Sequence, residues 1–271
     1  MGVHMGKLLE VRNLTKNYGK GTAAGKAVDA MNLDIAEQEF VIMMGASGSG
    51  KTSLLHLIAG IDDFDEGTIH YKNIDFGHMS EKSKTIFRRE NIGIVFQQHF
   101  LIPDLTVYEN IILPLILSGK MKSGKEKDSV KHTVLKLCGQ CGLQEHIGKF
   151  PSQLSGGQQQ RAAILRSVVN RPPLLLCDEP TGSLNSAQTD IVMKMLNILN
   201  KEGQTILLVT HDIKVAARGK RVIYIKDGRI NEELRFDESH TGKISSGKTS
   251  SGEIYRHREK ELMDFLEQKG W

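Results

Sequence analysis

Residues 45–52 read Gly-Ala-Ser-Gly-Ser-Gly-Lys-Thr, two glycines with four residues between them and then a lysine and a hydroxyl. That spacing suits a phosphate chain. Glycines let the backbone turn its N–H groups inward, and a following helix offers the positive end of its dipole. Lys51 reaches the outer phosphate oxygens, and the Thr52 hydroxyl ligates Mg²⁺. Gly45, Ala46, Ser47, Gly48, Ser49 and Gly50 form the cradle, with Ser53 next along the helix. The same pattern recurs at 242–249, Gly-Lys-Ile-Ser-Ser-Gly-Lys-Thr. There it follows the polar run 237–240 and precedes Ser-Ser-Gly, so neither a strand nor an apolar helix frames it, and it reads as a low-complexity linker.

Residues 174–179, Leu-Leu-Leu-Cys-Asp-Glu, form an apolar run that ends in two carboxylates before Pro180. Strand neighbours point to opposite sides. Asp178 is therefore expected to hold Mg²⁺ through water, while Glu179 polarises an attacking water as base or positioner. Two acids at a strand end are commonly just a solvated turn, and the phosphate loop upstream is what gives this pair weight.

The elements that must position these groups are legible from periodicity. From Leu8 to about Tyr71 short β-rich runs lead to an apolar strand, Phe40 to Met44, and after the glycine loop a helix from Thr52 to about Ala59. Gln98 to Val169 is mostly helical and contains a lysine-rich stretch, Lys120 to Lys131, which reads as a solvated loop and helix start or as a basic contact patch. Apolar runs return at 174–177 and 205–210 around a helical 187–199. Val222 to Ile225, then Asp227-Gly228, reads as a strand and hairpin turn. Parallel strands with crossover helices are the economical arrangement. After about Phe236 the composition turns to Gly, Ser and Lys, then to a terminal helix, 253–269, with Leu262, Phe265 and Leu266 at helical spacing.

The 271 residues, 39% of them hydrophobic, suffice for a sizeable core, and 36 basic against 32 acidic residues leave a net charge of +4. That excess is too small for a nucleic-acid-coating surface. No apolar stretch approaches the ~20 residues of a membrane-spanning helix, and no signal core precedes the first strand, so a cytosolic protein is expected. Met1 to His4, ahead of a second Met-Gly, read as an appended remnant or an upstream start. Three cysteines suit a reducing compartment; Cys138 and Cys141 lack the further ligands of a zinc site and read as packing residues, and Cys177 as strand core.

Residues 154–161, Leu-Ser-Gly-Gly-Gln-Gln-Gln-Arg, are the most specific string in the chain. No generic GTPase, kinase or helicase needs it, and it resembles the signature motif of ABC ATPases. Ser155, Gly156 and Gly157 before a helix make a second anion site of hydroxyl and amides; taken alone, Ser-Gly-Gly is a flexible turn and Gln158 to Gln160 a polar helix face. With the signature the motif series follows the family's order over roughly 8–236. The resemblance implies Tyr18 as the adenine-stacking aromatic, Gln97 (with Gln98 its competitor) as the Q-loop glutamine, and His211 in Thr-His-Asp as the switch histidine. Catalysis then falls to Glu179, His211 and Gln97, and metal binding to Thr52, Gln97 and Asp178. Leu154, Ser155, Gly156, Gly157 and Gln158 meet the ATP of a second copy.

The implied fold is α/β, a P-loop NTPase of ABC type with a mainly parallel core sheet and an antiparallel β subdomain. Residues 6–236 form the ATPase domain, with a helical subdomain inserted at about 98–169, and 237–271 a linker and terminal helix. ATP and Mg²⁺ are the implied cofactors, and the implied partners are a second copy and an integral-membrane permease, on the inner face of the cell membrane, with no nucleic acid. Residues 96–114, Phe-Gln-Gln-His-Phe-Leu-Ile-Pro onward, together with the signature, resemble the lipoprotein-release, macrolide-export, cell-division and peptide-antibiotic-resistance group. Export and transmembrane signalling to cell-wall hydrolases both remain open. One departure stands out: Asn185 occupies a position where the family usually has Asp, which removes a charge near the dimer contact.

Overall fold

A computed structural model describes residues 6–19, 25–236 and 251–269. The expected linker and the second glycine-lysine pattern at 242–249 lie outside them, as do residues 1–4. In chain order the elements are β1 (Lys7–Tyr18), β2 (Gly25–Ala36), β3 (Phe40–Met44), α1 (Lys51–Ala59), β4 (Glu66–Tyr71) and β5 (Ile74–Asp75). Then come α2 (Glu81–Asn91), β6 (Ile92–Val95), α3 (Val107–Leu117), α4 (Gly124–Gln140), α5 (Gly156–Val168), β7 (Leu174–Asp178) and α6 (Ser186–Lys201). The chain ends with β8 (Thr205–Val209), α7 (Ile213–Ala216), β9 (Arg221–Lys226), β10 (Arg229–Arg235) and α8 (Ser251–Glu267). The described residues form two compact units, one from those within 1–78 and 206–271, the other from 79–205.

In the first unit, β1 and β2 pair antiparallel and continue through β4 to β5. Both are twelve-residue strands, longer than the short runs expected, because their apolar alternation carries on through several bulges. β3 lies between β8 and β9 and is parallel to both, with Ile42 opposite Leu208 and Val222. All residues of β3 and β8 are buried, as continuous apolar runs covered on both faces should be. β10 returns antiparallel on β9 through the Asp227-Gly228 turn. The terminal helix forms as expected, with Leu262 and Leu266 buried.

In the second unit β6 and β7 are parallel, with Gly93 opposite Leu175. A side chain at Gly93 would put a Cβ 2.5 Å from the Ser167 carbonyl oxygen, so the strand approaches α5 through a residue that has none. Capping boxes start α3 at Thr106/Glu109, α4 at Ser123/Glu126 and α5 at Ser155/Gln158. Helix α2, polar apart from Ile86 and Phe87, had no apolar period to announce it and rests on its Ser80 cap. All three cysteines are thiols. Burial pushes Cys138 up to about 12 and Cys141, just past the end of α4, to about 11, and raises Cys177 further, so none is a ready nucleophile. Among the described residues no helix is long and apolar enough to cross a membrane.

Arg221, 6% exposed, joins the sheets of the first unit: it donates to the Asp34 carbonyl at 2.7 Å and pairs with Glu39 and Glu233. Losing the cation would leave Glu39, itself largely buried, with only the more distant and exposed Arg235 at 3.7 Å as counter-charge. Arg221→Leu is therefore expected to lower unfolding free energy by about 3 kcal/mol in urea titrations, against under about 1 kcal/mol for the exposed Lys72→Leu.

Candidate functional site

The phosphate loop is set by backbone packing. Gly50 has φ +98°, and a Cβ there would lie 2.0 Å from the Ala27 carbonyl oxygen of β2; one at Gly45 would lie 2.2 Å from that of Ile225 in β9. Only glycine permits these approaches. The Gly228 N–H donates to the Ser49 carbonyl at 3.1 Å, tying the loop to the β9–β10 turn. Residues 46–48 form an exposed crown, and α1 begins at Lys51 with no side chain capping its first turn. Lys51, 6% exposed, folds over the loop and donates to the Gly45 and Ala46 carbonyls at 2.7 Å each and to Ser49 Oγ at 3.3 Å. The arrangement is a glycine cradle, a helix N-terminus and an ammonium over it, which fits a phosphate chain. Thr52 is exposed on the first turn.

Tyr18 ends β1, 43% exposed as a residue, with its hydroxyl donating to Asp62 at 2.6 Å. Partial burial and Asp62 hold the phenol above its ordinary pKa, while a hydrogen bond with Ser53 works the other way and links the ring to the first turn of α1. His211, two residues past the end of β8, is exposed. Its neighbours are fixed: Thr210 N–H donates to the Met43 carbonyl of β3 at 3.1 Å, Asp212 N–H to Thr210 Oγ1 at 3.0 Å, and Asp212 caps α7.

The acidic pair belongs to the second unit, and its geometry differs from simple strand alternation. β7 ends at Asp178, and Glu179 has φ +45°, a left-handed turn that re-aims its carboxylate. Such a conformation costs on the order of 1–3 kcal/mol in a non-glycine residue, a recurrent feature of functional sites. Gln97 lies two residues past β6. A Cβ built on Gly182 would stand 3.1 Å from the Gln97 amide nitrogen and 3.4 Å from Glu179 Oε2, so the two side chains converge on one point. Gln98 is exposed. Asn185 caps α6, its Oδ1 accepting the Gln188 N–H at 3.0 Å, a task that needs the oxygen and not the charge.

At the signature, Ser155 caps α5: its Oγ accepts the Gln158 N–H at 3.4 Å, and Gln158 Oε1 accepts the Ser155 N–H at 2.8 Å. Gly157 lets α6 come close, since a Cβ there would sit 3.0 Å from Gln188 side-chain carbons. The three glutamines are not a solvated face. Gln158 meets His146, Gln159 donates to the Pro151 and Leu154 carbonyls, and buried Gln160 bonds His99 and the Phe96 carbonyl. Arg166 donates to the His99 and Phe100 carbonyls at 3.0 and 2.6 Å. Residues 96–100, which carry Gln97, are thus strapped to the signature helix. Sequence reasoning missed His99, Gln160 and Arg166 as a group because they meet across more than sixty residues.

Thr52 in the first unit, and Gln97 and Asp178 in the second, each carry the oxygen donors that a hard cation such as Mg²⁺ takes. Among the described residues no cluster of three His, Cys, Asp or Glu could hold a metal.

Gly48 and Gly50 separate strain from crowding. Both have positive φ, but a Cβ at Gly48 meets nothing within 4 Å. Gly48→Ala is expected to lower stability by about 1 kcal/mol, and Gly50→Ala by at least about twice that, read from urea midpoints.

The ABC transporter family model matches residues 28–182. The ABC transporter ATP-binding protein MJ0796 of Methanocaldococcus jannaschii is 44% identical over 233 residues, covering 84% of this chain and 97% of that protein. The lipoprotein-releasing system ATP-binding protein LolD of Geobacter metallireducens is 38% identical over 227 residues, covering 83% of this chain and 99% of its own. A dimeric structure of the MJ0796 cassette in a post-hydrolysis state with ADP and Pi superposes with a TM-score of 0.77 at 41% identity, covering 85% of this chain and 99% of that one. With a glycine cradle under a buried lysine, a re-aimed glutamate and the signature string all present, this chain belongs to the ATP-binding family of ABC transporters and is an ATP hydrolase.

Proposed function

We propose that the chain is a transporter motor whose two copies close head to tail around two ATP, each nucleotide lying between the phosphate loop of one copy and Ser155–Gly157 of the other. The observation that carries this reading is the start of α5. Ser155 uses a lone pair to cap its own helix, which leaves its hydroxyl hydrogen and the Gly156 and Gly157 amides to meet an anion. The string 154–161 has no lysine and no acid of its own. It is half of a site. The MJ0796 cassette, solved as a dimer bound to ADP and Pi, supports pairing of two copies.

In this reading residues 6–236 are the ATPase domain, with about 98–169 as its helical subdomain, and 237–271 a linker and terminal helix. Tyr18 stacks on adenine, residues 45–53 hold the phosphates, and Lys51 exchanges its loop carbonyls for phosphate oxygens. Mg²⁺, when bound through Thr52, Gln97 and Asp178, would neutralise charge on the outer phosphates. Glu179 takes or orients the proton of the attacking water, and His211 and Gln97 contact the γ-phosphate. Closure is the power stroke and hydrolysis reopens the pair.

The exposed Phe100 and Ile102 lie in the segment from Gln97 to Asn110 that would pass this motion to a membrane permease at the inner face of the membrane. Similarity to LolD favours a permease of the lipoprotein-releasing kind, for which the resemblance of residues 96–114 implies a large extracytoplasmic domain. Glu179→Gln keeps shape and removes the base: hydrolysis should fall at least about 100-fold while ATP shifts the variant to a dimer in size-exclusion chromatography. A variant that stayed monomeric at saturating ATP and turned over normally would refute the assignment.

A further inference from the structure

Helix α8 lies beyond residues 28–182, the part matched by the family model. Its inner stripe, Tyr255, Arg258, Leu262 and Leu266, follows helical spacing, and the two leucines are fully buried while Met263 is 47% exposed. The first half of the stripe clasps the corner that joins α7 to β9. Arg258 donates to the Gly219 carbonyl at 3.1 Å and lies 5.0 Å from the Phe236 ring centroid, and Arg218 lies 5.2 Å from that of Tyr255. This corner is pressed on β3, since a Cβ at Gly219 would be 2.4 Å from Ile42. At the other end Lys269 pairs with Glu232 at 2.7 Å, and Lys226 donates to the Lys269 carbonyl at 3.4 Å. Lys226 immediately precedes the Asp227-Gly228 turn, and the Gly228 N–H holds Ser49 of the phosphate loop.

α8 therefore braces two segments that end at the nucleotide: the one that starts at His211 and the hairpin that supports the glycine cradle. We propose that α8 is a positioning element of the ATP site, with Arg258 and Lys269 as its positioning residues, so that its docking holds the cradle in the binding-competent form and its release weakens ATP binding. This rests on the assignment of residues 45–53 as the nucleotide loop. Fixing the hairpin removes motion that the nucleotide would otherwise have to arrest, and a lower competent fraction raises the apparent dissociation constant in proportion.

The test uses the full chain. Arg258→Ala combined with Leu266→Asn releases the helix, Arg258→Lys keeps a cation and a donor, and Lys269→Ala cuts the hairpin tie to Glu232 while leaving the Lys226 bond to the backbone carbonyl. The double variant is expected to raise the KM for ATP about fivefold with a smaller change in kcat, and to speed amide exchange at 213–220 and 226–229. Arg258→Lys should stay near wild type, and Lys269→Ala, a surface change that spares the fold, should raise KM about twofold with faster exchange at 226–229 alone. Release of α8 in the double variant, seen by exchange, with KM and the 226–229 amides unchanged would overturn the proposal, as would an unaltered KM in Lys269→Ala. Failure of the loop assignment reads differently: Lys51→Ala would then leave ATP binding intact.

Discussion

Gly50 has its Cα against the Ala27 carbonyl, and much of the nucleotide half follows from that approach. A side chain there would collide at 2.0 Å, so β2 and the loop can touch only through bare backbone. The contact leaves the crown at 46–48 exposed and precedes the start of α1 at Lys51. Gly45 repeats the device against β9, and the Gly228 N–H closes the ring through Ser49. An anion meets a cradle whose backbone was shaped by folding, and Lys51 has to exchange its bonds to the loop carbonyls for it. The fully buried parallel strands β3 and β8 matter to function because they fix where this loop and His211 emerge.

The second unit achieves placement differently. Glu179 is turned by a left-handed backbone at the end of β7, and Gln97 reaches the same Gly182 from the end of β6. Gln160 and Arg166 hold residues 96–100 from the signature helix, so the glutamine and the signature share one rigid support. In the proposed dimer, a second copy that engaged Ser155 would act on the same helix that holds Gln97, which offers a physical route between the two sites.

Local signals made most of the fold legible. The apolar runs of β3, β7 and β8 and the helix of 187–199 read directly from period and composition, because burial on both faces or on one stripe writes itself into neighbouring residues. Helix α2 did not, since its stability comes from a cap and tertiary contacts. The glycine loop and the signature were legible because their chemistry requires fixed spacing along the chain. The positive φ of Glu179 was not, because strand alternation alone suggests opposed acids. The Gln160–His99 and Arg258–Gly219 links were hidden by sequence separation, and Asn185 looked like a loss until its capping oxygen showed what the position retains.

The central claim is that each ATP site is built from two copies, and mixing two different inactive chains tests it most directly. Lys51→Ala destroys a phosphate loop and leaves the signature; Ser155→Arg blocks a signature and leaves the loop. A mixed dimer then holds one doubly damaged site and one intact site. If sites act independently and chains exchange freely, equal mixing should restore roughly a quarter of wild-type ATPase activity per chain, since half the dimers are mixed and each has one working site. A mixture no more active than either variant alone, with exchange of chains verified, would contradict the account.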